Sequence, residues 1–312
     1  MIPGRDELLG LVTDAGYAAG WRAVRMLPQP VAAALFDQAG EWAAWREDTG
    51  VRRLRANLRV VTGGRLTEPE LDELTRRAMR SYARYWQEAF RLPTLGVDRI
   101  LAGTTVPGSE HLEKARADGR GVLLALPHSG NWDAAGVWFV EWLGGPFMTV
   151  AERLRPESLY RRFLDYRESL GMRVVPLTGG ERPSGEVLRN WLADGGSACL
   201  LVDRNLGSGG VPVRFFDRRA TMPGGAAALA AETGAALHPV VCGFDGPGWR
   251  HQVYPEVPVA GRSREAVAAA MQGVADAFTT GIAQRPEDWH MLGRVWADVP
   301  ADAPRSSRSD PS

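Results

Sequence analysis

The chain has almost no lysine, little cysteine and no long apolar run, and each shortage narrows what it can be. Lys114 is the only lysine among 37 basic residues. Positive charge is therefore carried by guanidinium groups, which pair bidentately with phosphate and are weakly enough hydrated to sit at an interface. Cys199 and Cys242 are the only cysteines, and both lie in runs that read as buried strands, which argues against a disulfide framework and for a reducing compartment. No uncharged run exceeds about twelve residues, short of the roughly 18 needed to span a bilayer. The opening segment, Met1 to Glu7, carries acids where a secretory signal needs a basic region, so no signal peptide is expected. The formal net charge is zero, so the total offers nothing to nucleic acid. A Gly-x-Ser-x-Gly elbow, a Gly-x4-Gly-Lys loop and a Gly-x-Gly-x-x-Gly turn are all missing, and covalent serine chemistry and nucleotide use lose ground with them.

What is present is enough for a large core: 312 residues, 45% of them hydrophobic. From residue 121 onward short apolar runs alternate with helical segments, which predicts an α/β fold with a mainly parallel central sheet and crossover helices. Strands are expected at 121–126, 147–151, 172–177, 197–202, 212–216, 236–242 and 251–257. Helices are expected at 132–142, 156–170, 184–194, 224–233 and 263–284. Residues 1–120 read as a helical N-terminal extension, 121–296 as the α/β core, and 297–312, rich in Pro, Ser, Arg and Asp, as a disordered tail.

The neutral total hides a basic stretch. Residues 49–91 hold ten arginines against five acids. Thr67-Glu-Pro-Glu70 looks like a capping box opening a helix on which Arg77, Arg80, Arg84 and Arg91 recur at helical spacing. Beside them runs an apolar stripe of Met79, Tyr82, Trp86 and Phe90. Such a face suits an anionic membrane surface; the competing reading packs the aromatics on the core and leaves the arginines in water.

The stretch richest in chemistry is His128-Ser-Gly-Asn-Trp-Asp133, directly after the apolar run Gly121 to Leu126. Pro127 ends the strand, and Asn131 is a good N-cap for the helix that follows. His128 then stands at the carboxyl edge of a strand, where open α/β sheets bind ligands. After the next strands come Glu152-Arg153, Thr178-Gly-Gly and Asp203-Arg204-Asn205. If the strands are parallel, these groups share one edge: a base, orienting acids and anion-binding arginines. Without a protein nucleophile, a histidine base suits direct transfer from an activated donor, the base taking a proton from an acceptor hydroxyl as it attacks a thioester. Asp133 also has a plain explanation, a carboxylate in the first turn of a helix. Metal ligation by His128 and Asp133 competes but lacks a second histidine or a clear third ligand. His111, His238, His251 and His290 have no such company and read as surface or core residues.

The His-x4-Asp block resembles the signature of the glycerolipid acyltransferase superfamily, in the branch of the bacterial lipid A acyltransferases and the actinobacterial acyltransferases of phosphatidylinositol mannosides. The resemblance runs to about residue 296 through Leu126–Asp133, Val150–Glu157, Asp203–Asn205, Val213–Phe216, Met222–Gly225, Glu232–Pro239 and Pro286–Trp296. It implies a glycerolipid-acyltransferase-like fold, with His128 as the base and Asp133 as the acid of the motif. Glu152 and Arg167 match groove-lining positions, while Arg153, Arg204 and Asn205 are carried as substrate-binding candidates. Asp203 stands where the family has a glutamate that pairs with the catalytic histidine, and can serve only if its backbone lies closer. The resemblance further implies a long-chain acyl-CoA as co-substrate, no cofactor or metal, a mannosylated phosphatidylinositol as acceptor, and a peripheral location on the cytoplasmic face of the plasma membrane. Acylation of another glycolipid or a lysophospholipid, hydrolysis of a lipid or thioester, and a non-catalytic membrane-binding role are the alternatives.

Overall fold

A computed structural model describes residues 20–152, 157–205 and 209–302, apart from the side chains of Ser158 and Leu159. A helical segment at 20–26 precedes α1 (Gln29–Arg46), α2 (Thr49–Val61), α3 (Glu68–Leu95), α4 (Val97–Ala102), β1 (Thr104–Thr105) and α5 (Glu110–Ala117). The alternating part runs β2 (Val122–Leu126), α6 (Trp132–Leu143), β3 (Met148–Ala151), α7 (Glu157–Ser169), β4 (Arg173–Pro176), α8 (Ser184–Ala193) and β5 (Ala198–Leu201). Then come β6 (Gly210–Phe215), β7 (Arg218–Pro223), α9 (Gly225–Thr233), β8 (Ala236–Asp245), β9 (Gly248–Val253) and α10 (Arg264–Gln284).

The main sheet has seven strands in the order β1-β9-β8-β2-β5-β3-β4, parallel throughout except for the β8–β9 pair. Strand β2 is apolar at every position because both faces are covered. Leu123 and Ala125 enter a cluster with residues of α8, α9 and α10, while Val122, Leu124 and Leu126 enter another with Ala135 and Phe139 of α6. The expected mainly parallel α/β fold is the one observed, but two expected strands differ in role. The run at 212–216 leaves the sheet and pairs antiparallel with β7, which the sequence reading missed. Its turn holds Phe216 and Asp217 at positive φ, and its exposed arginines mask the apolar alternation. The run at 251–257 starts earlier and turns back on β8, a tight hairpin through Gly246-Pro247.

The stripe on α3 packs against protein, with Met79 buried and Tyr82, Trp86 and Phe90 half-buried, which favours the reading in which its aromatics lie on the core. Tyr82 meets His290 at 5.5 Å, Trp86 meets Phe163 at 6.0 Å, and Phe90 meets Trp21 at 4.9 Å. The arginines are engaged as well. Arg80 pairs with Glu41, Arg84 with Glu88 at 2.7 Å, and the buried Arg91 donates to the Leu27 carbonyl at 2.7 Å. Helix α1 covers α3 with small residues, Ala32, Gly40 and Ala44. A Cβ on Gly40 would stand 2.8 Å from the Met79 carbonyl oxygen. Phe36 of α1 meets Phe90 at 6.1 Å, while Val31, Leu35, Trp42 and Trp45 are exposed on the other face at spacings of four, seven and three. Among the described residues no helix is long and apolar enough to cross a membrane. Of the segment expected as a disordered tail, residues 297–302 are placed, with Asp302 accepting from Arg59 at 3.0 Å; residues 303–312 lie outside the described residues.

Candidate active site

The register of two parallel strands builds the site. Leu126 of β2 stands opposite Leu201 of β5, so the residues two positions beyond each, His128 and Asp203, arrive together at the carboxyl edge. Asp203 Oδ1 lies 2.6 Å from His128 Nδ1, and Oδ2 accepts from the His128 backbone N–H at 2.9 Å. The aspartate, although one methylene shorter than the family's glutamate, reaches because adjacent parallel strands bring its backbone this close. Asp203 is fully buried, which by itself would raise its pKa; the charge of His128 and the hydrogen bonds from His128 and Trp289 outweigh burial and hold it below the usual carboxylate range. An ionised carboxylate only accepts, so Nδ1 carries the proton and Nε2 is the nitrogen left to act as a base. His128 keeps 29% of its side chain exposed.

Asp133 does not pair with His128. It is 1% exposed and accepts from Arg167 Nε at 3.0 Å and from the Tyr85 hydroxyl at 3.3 Å. The helix turns it away: Asn131 caps α6 by accepting from Ala134 N at 3.0 Å, and Asp133, in the first turn, points behind the sheet edge toward α3 and α7. Burial would lower the pKa of Arg167, and the Asp133 charge overrides this and raises it. Burial raises the Tyr85 hydroxyl well above its ordinary value, with Asp133 adding to the effect. The pair weighed as possible metal ligands is thus not assembled, and among the described residues no group of three or more His, Cys, Asp or Glu side chains could hold a metal.

Sequence reading missed two residues around this turn. Glu88 accepts from Asn131 Nδ2 at 2.8 Å and Trp249 Nε1 at 2.7 Å, so a carboxylate from α3 holds the N-cap residue of α6. Trp289 donates its indole N–H to Asp203 Oδ2 at 2.9 Å. Glu88 looked like one more acid in a basic helix; Trp289 lay in a matching block without an assigned role.

A cavity of about 660 Å³ opens beside His128. Glu152, Arg204 and Asn205 line it on the same side as the histidine, and Val150, Leu177, Leu188, Leu200, Ala226 and Leu229 form its apolar body. The strands set its direction. Glu232, on the lining, stands just before Ala236, which pairs with Val122 at the start of β2. The cavity therefore runs from the carboxyl edge toward the amino edge of the sheet and meets the Arg189–Glu232 ion pair there. Arg167 instead lines a smaller recess with Asp133 and Trp132. Arg153 lies outside the described residues. His238, His251 and His290 are buried in the core and His111 is half-buried; burial pushes His251 and His290 down to about 3.

An α/β sheet with a carboxylate-paired histidine at the mouth of an apolar cavity suits an enzyme that acts on an apolar substrate. The model of the bacterial lipid A biosynthesis acyltransferase family matches residues 8–298, and the chain belongs to that family. It is 51% identical over 295 residues to the phosphatidylinositol mannoside acyltransferase of Mycolicibacterium smegmatis, covering 95% of each chain. It is 46% identical over 314 residues to the protein of the same name from Mycobacterium tuberculosis H37Rv, covering 98% of this chain and 94% of the other.

Proposed function

We propose that this acyltransferase moves a long-chain acyl group from acyl-CoA to a hydroxyl of a mannosylated phosphatidylinositol, with His128 as general base. The observation that carries the chemistry is the buried Asp203 on Nδ1 of His128, beside an apolar cavity. The acyl chain occupies that cavity. Nε2 of His128 takes the proton of the acceptor hydroxyl as its oxygen attacks the thioester carbonyl. The C–S bond breaks, and the departing thiolate takes the proton back from the imidazolium, leaving an ester and free CoA. Asp203 stabilises the imidazolium formed midway. The mannoside acceptor is the substrate in the names of both relatives.

The enzyme works at the cytoplasmic face of the plasma membrane as a peripheral protein, with α1 rather than α3 as the contact. Trp42 and Trp45 are 57% and 78% exposed on its outer face, and the Arg46 guanidinium lies 5.0 Å from the Trp42 ring centroid. Aromatic rings beside arginine suit the headgroup layer of an anionic membrane.

The test is transfer from palmitoyl-CoA to a panel of phosphatidylinositol mannosides, lysophospholipids and no acceptor, read by mass spectrometry for wild type and His128→Ala. Acylated mannoside that depends on His128 is expected. Free fatty acid alone would point to a hydrolase, and acylated lysophospholipid alone to a different acceptor; either result overturns the proposal.

A further inference from the structure

The segment from Pro286 to Met291 closes over the turn that presents His128. Gly130 N donates to the Asp288 carbonyl at 2.8 Å, His290 N donates to the His128 carbonyl at 2.8 Å, and Ser129 and Trp289 form an isolated antiparallel bridge. The segment is itself anchored: Asp288 accepts from the Ser81 hydroxyl at 2.7 Å and from Phe244 N at 2.9 Å. From this bracket the fully buried Trp289 extends its indole N–H to Asp203 Oδ2 at 2.9 Å. Phe215 packs edge-on against the ring at 5.8 Å.

We propose that Trp289 is a positioning residue for the acyl transfer, acting through Asp203. The inference rests on the reading of His128 as the base. A carboxylate rotates about its terminal bond in a broad well, and the short aspartate meets His128 Nδ1 in only part of that range. Two donors on Oδ2, the His128 backbone N–H and the Trp289 indole, fix the rotation so that Oδ1 faces Nδ1. The indole also solvates the buried anion. Without it Asp203 takes up a proton more readily, and a protonated carboxyl donates where it should accept. The imidazole then carries its proton on Nε2, which is the wrong nitrogen for a base.

The experiment compares wild type, Trp289→Phe and the enzyme carrying 3-benzothienylalanine at position 289, which keeps the bicyclic shape and replaces the N–H by sulfur. Trp296→Phe is the control, since that indole donates to the Phe215 carbonyl at 3.1 Å and not to the dyad. Losing a hydrogen bond to a charged group lowers kcat by about 10- to 100-fold, with KM for donor and acceptor unchanged. The same replacement in an Asp203→Ala background costs less than about 2-fold, since no carboxylate remains to be held. The low-field proton signal of His128 Nδ1–H, which reports on the pair without any substrate, broadens or vanishes in both Trp289 variants and persists in Trp296→Phe. A wild-type enzyme inactive on the whole substrate panel counts against the function proposed above and leaves this signal as the test. Full kcat with the benzothienyl residue, a cost that persists in the Asp203→Ala background, or an unchanged His128 signal overturns the role of Trp289.

Discussion

At His128 the chemistry depends on which carboxylate reaches the ring, and here it is Asp203, not Asp133. Asp203→Asn keeps the shape but loses the charge that selects the Nδ1–H tautomer. The expected result is a fall in kcat of roughly 10³- to 10⁴-fold with the fold intact, checked by steady-state kinetics beside circular dichroism. Asp133 has the opposite profile. Removing it in Asp133→Ala leaves the buried Arg167 guanidinium without its partner, which costs about 3–5 kcal/mol of stability. Urea denaturation measures this, and an Asp133→Ala protein as stable as wild type refutes the structural role. Gly130, between His128 and Asp133 in the chain, sits at φ 54°, and a Cβ there would lie 2.6 Å from Gly243 N. Only glycine lets the His128 turn pass so close to β8.

Among the elements, the roles proposed for α1 and α9 can be tested separately. The outer face of α1 contributes little to the packed core, so Trp42→Ser with Trp45→Ser shifts unfolding by less than about 1 kcal/mol. The same pair weakens sedimentation with anionic phospholipid vesicles by about 10-fold or more, because two exposed indoles are lost from the contact. Vesicle binding equal to wild type removes α1 as the membrane face. Helix α9 lines the cavity with Ala226, Ala228 and Leu229. Leu229→Trp fills its inner part, and the profile of accepted acyl-CoA chains moves toward shorter ones while kcat for a short chain is retained. A profile that still peaks at the longest chain places the acyl group elsewhere.

The whole molecule should be acid-sensitive. His251 and His290 are held neutral by burial, their pKa values pushed to about 3 from the ordinary 6.5. A histidine whose folded pKa is depressed contributes stability that is complete above the unfolded pKa and is lost as pH falls toward the folded one. Stability is therefore expected to drop between about pH 6.5 and 3, by roughly 1 kcal/mol per pH unit for each of the two. Below the carboxylate range the loss deepens, as Asp203, Glu256 and Glu68, all depressed, are protonated; Glu68 is held at about 2 by Arg59 and Arg55. Asp288, raised by burial, works in the other direction. Melting temperatures between pH 7.5 and 5 check this: they fall in wild type and fall less in His251→Phe. A flat profile rejects it.

Local pattern was enough for most of the alternating strands and helices from β2 to α10, β7 excepted, because each element's apolar period reports the faces it buries. It was enough too for His128 at a strand end and for Asn131 as an N-cap, both of which depend only on neighbours in the chain. The partner of the histidine was a different matter. Asp133 is five residues away in sequence, yet the turn of α6 carries it to Arg167, while Asp203, 75 positions distant, is brought in by the register of β2 against β5. The same holds for α3, whose aromatic stripe is visible in the sequence but not the direction it faces. That direction was settled by the small residues of α1, which let one helix lie close on the other and turned the tryptophans of α1 outward instead. Periodicity says that a face is apolar; only packing says what covers it.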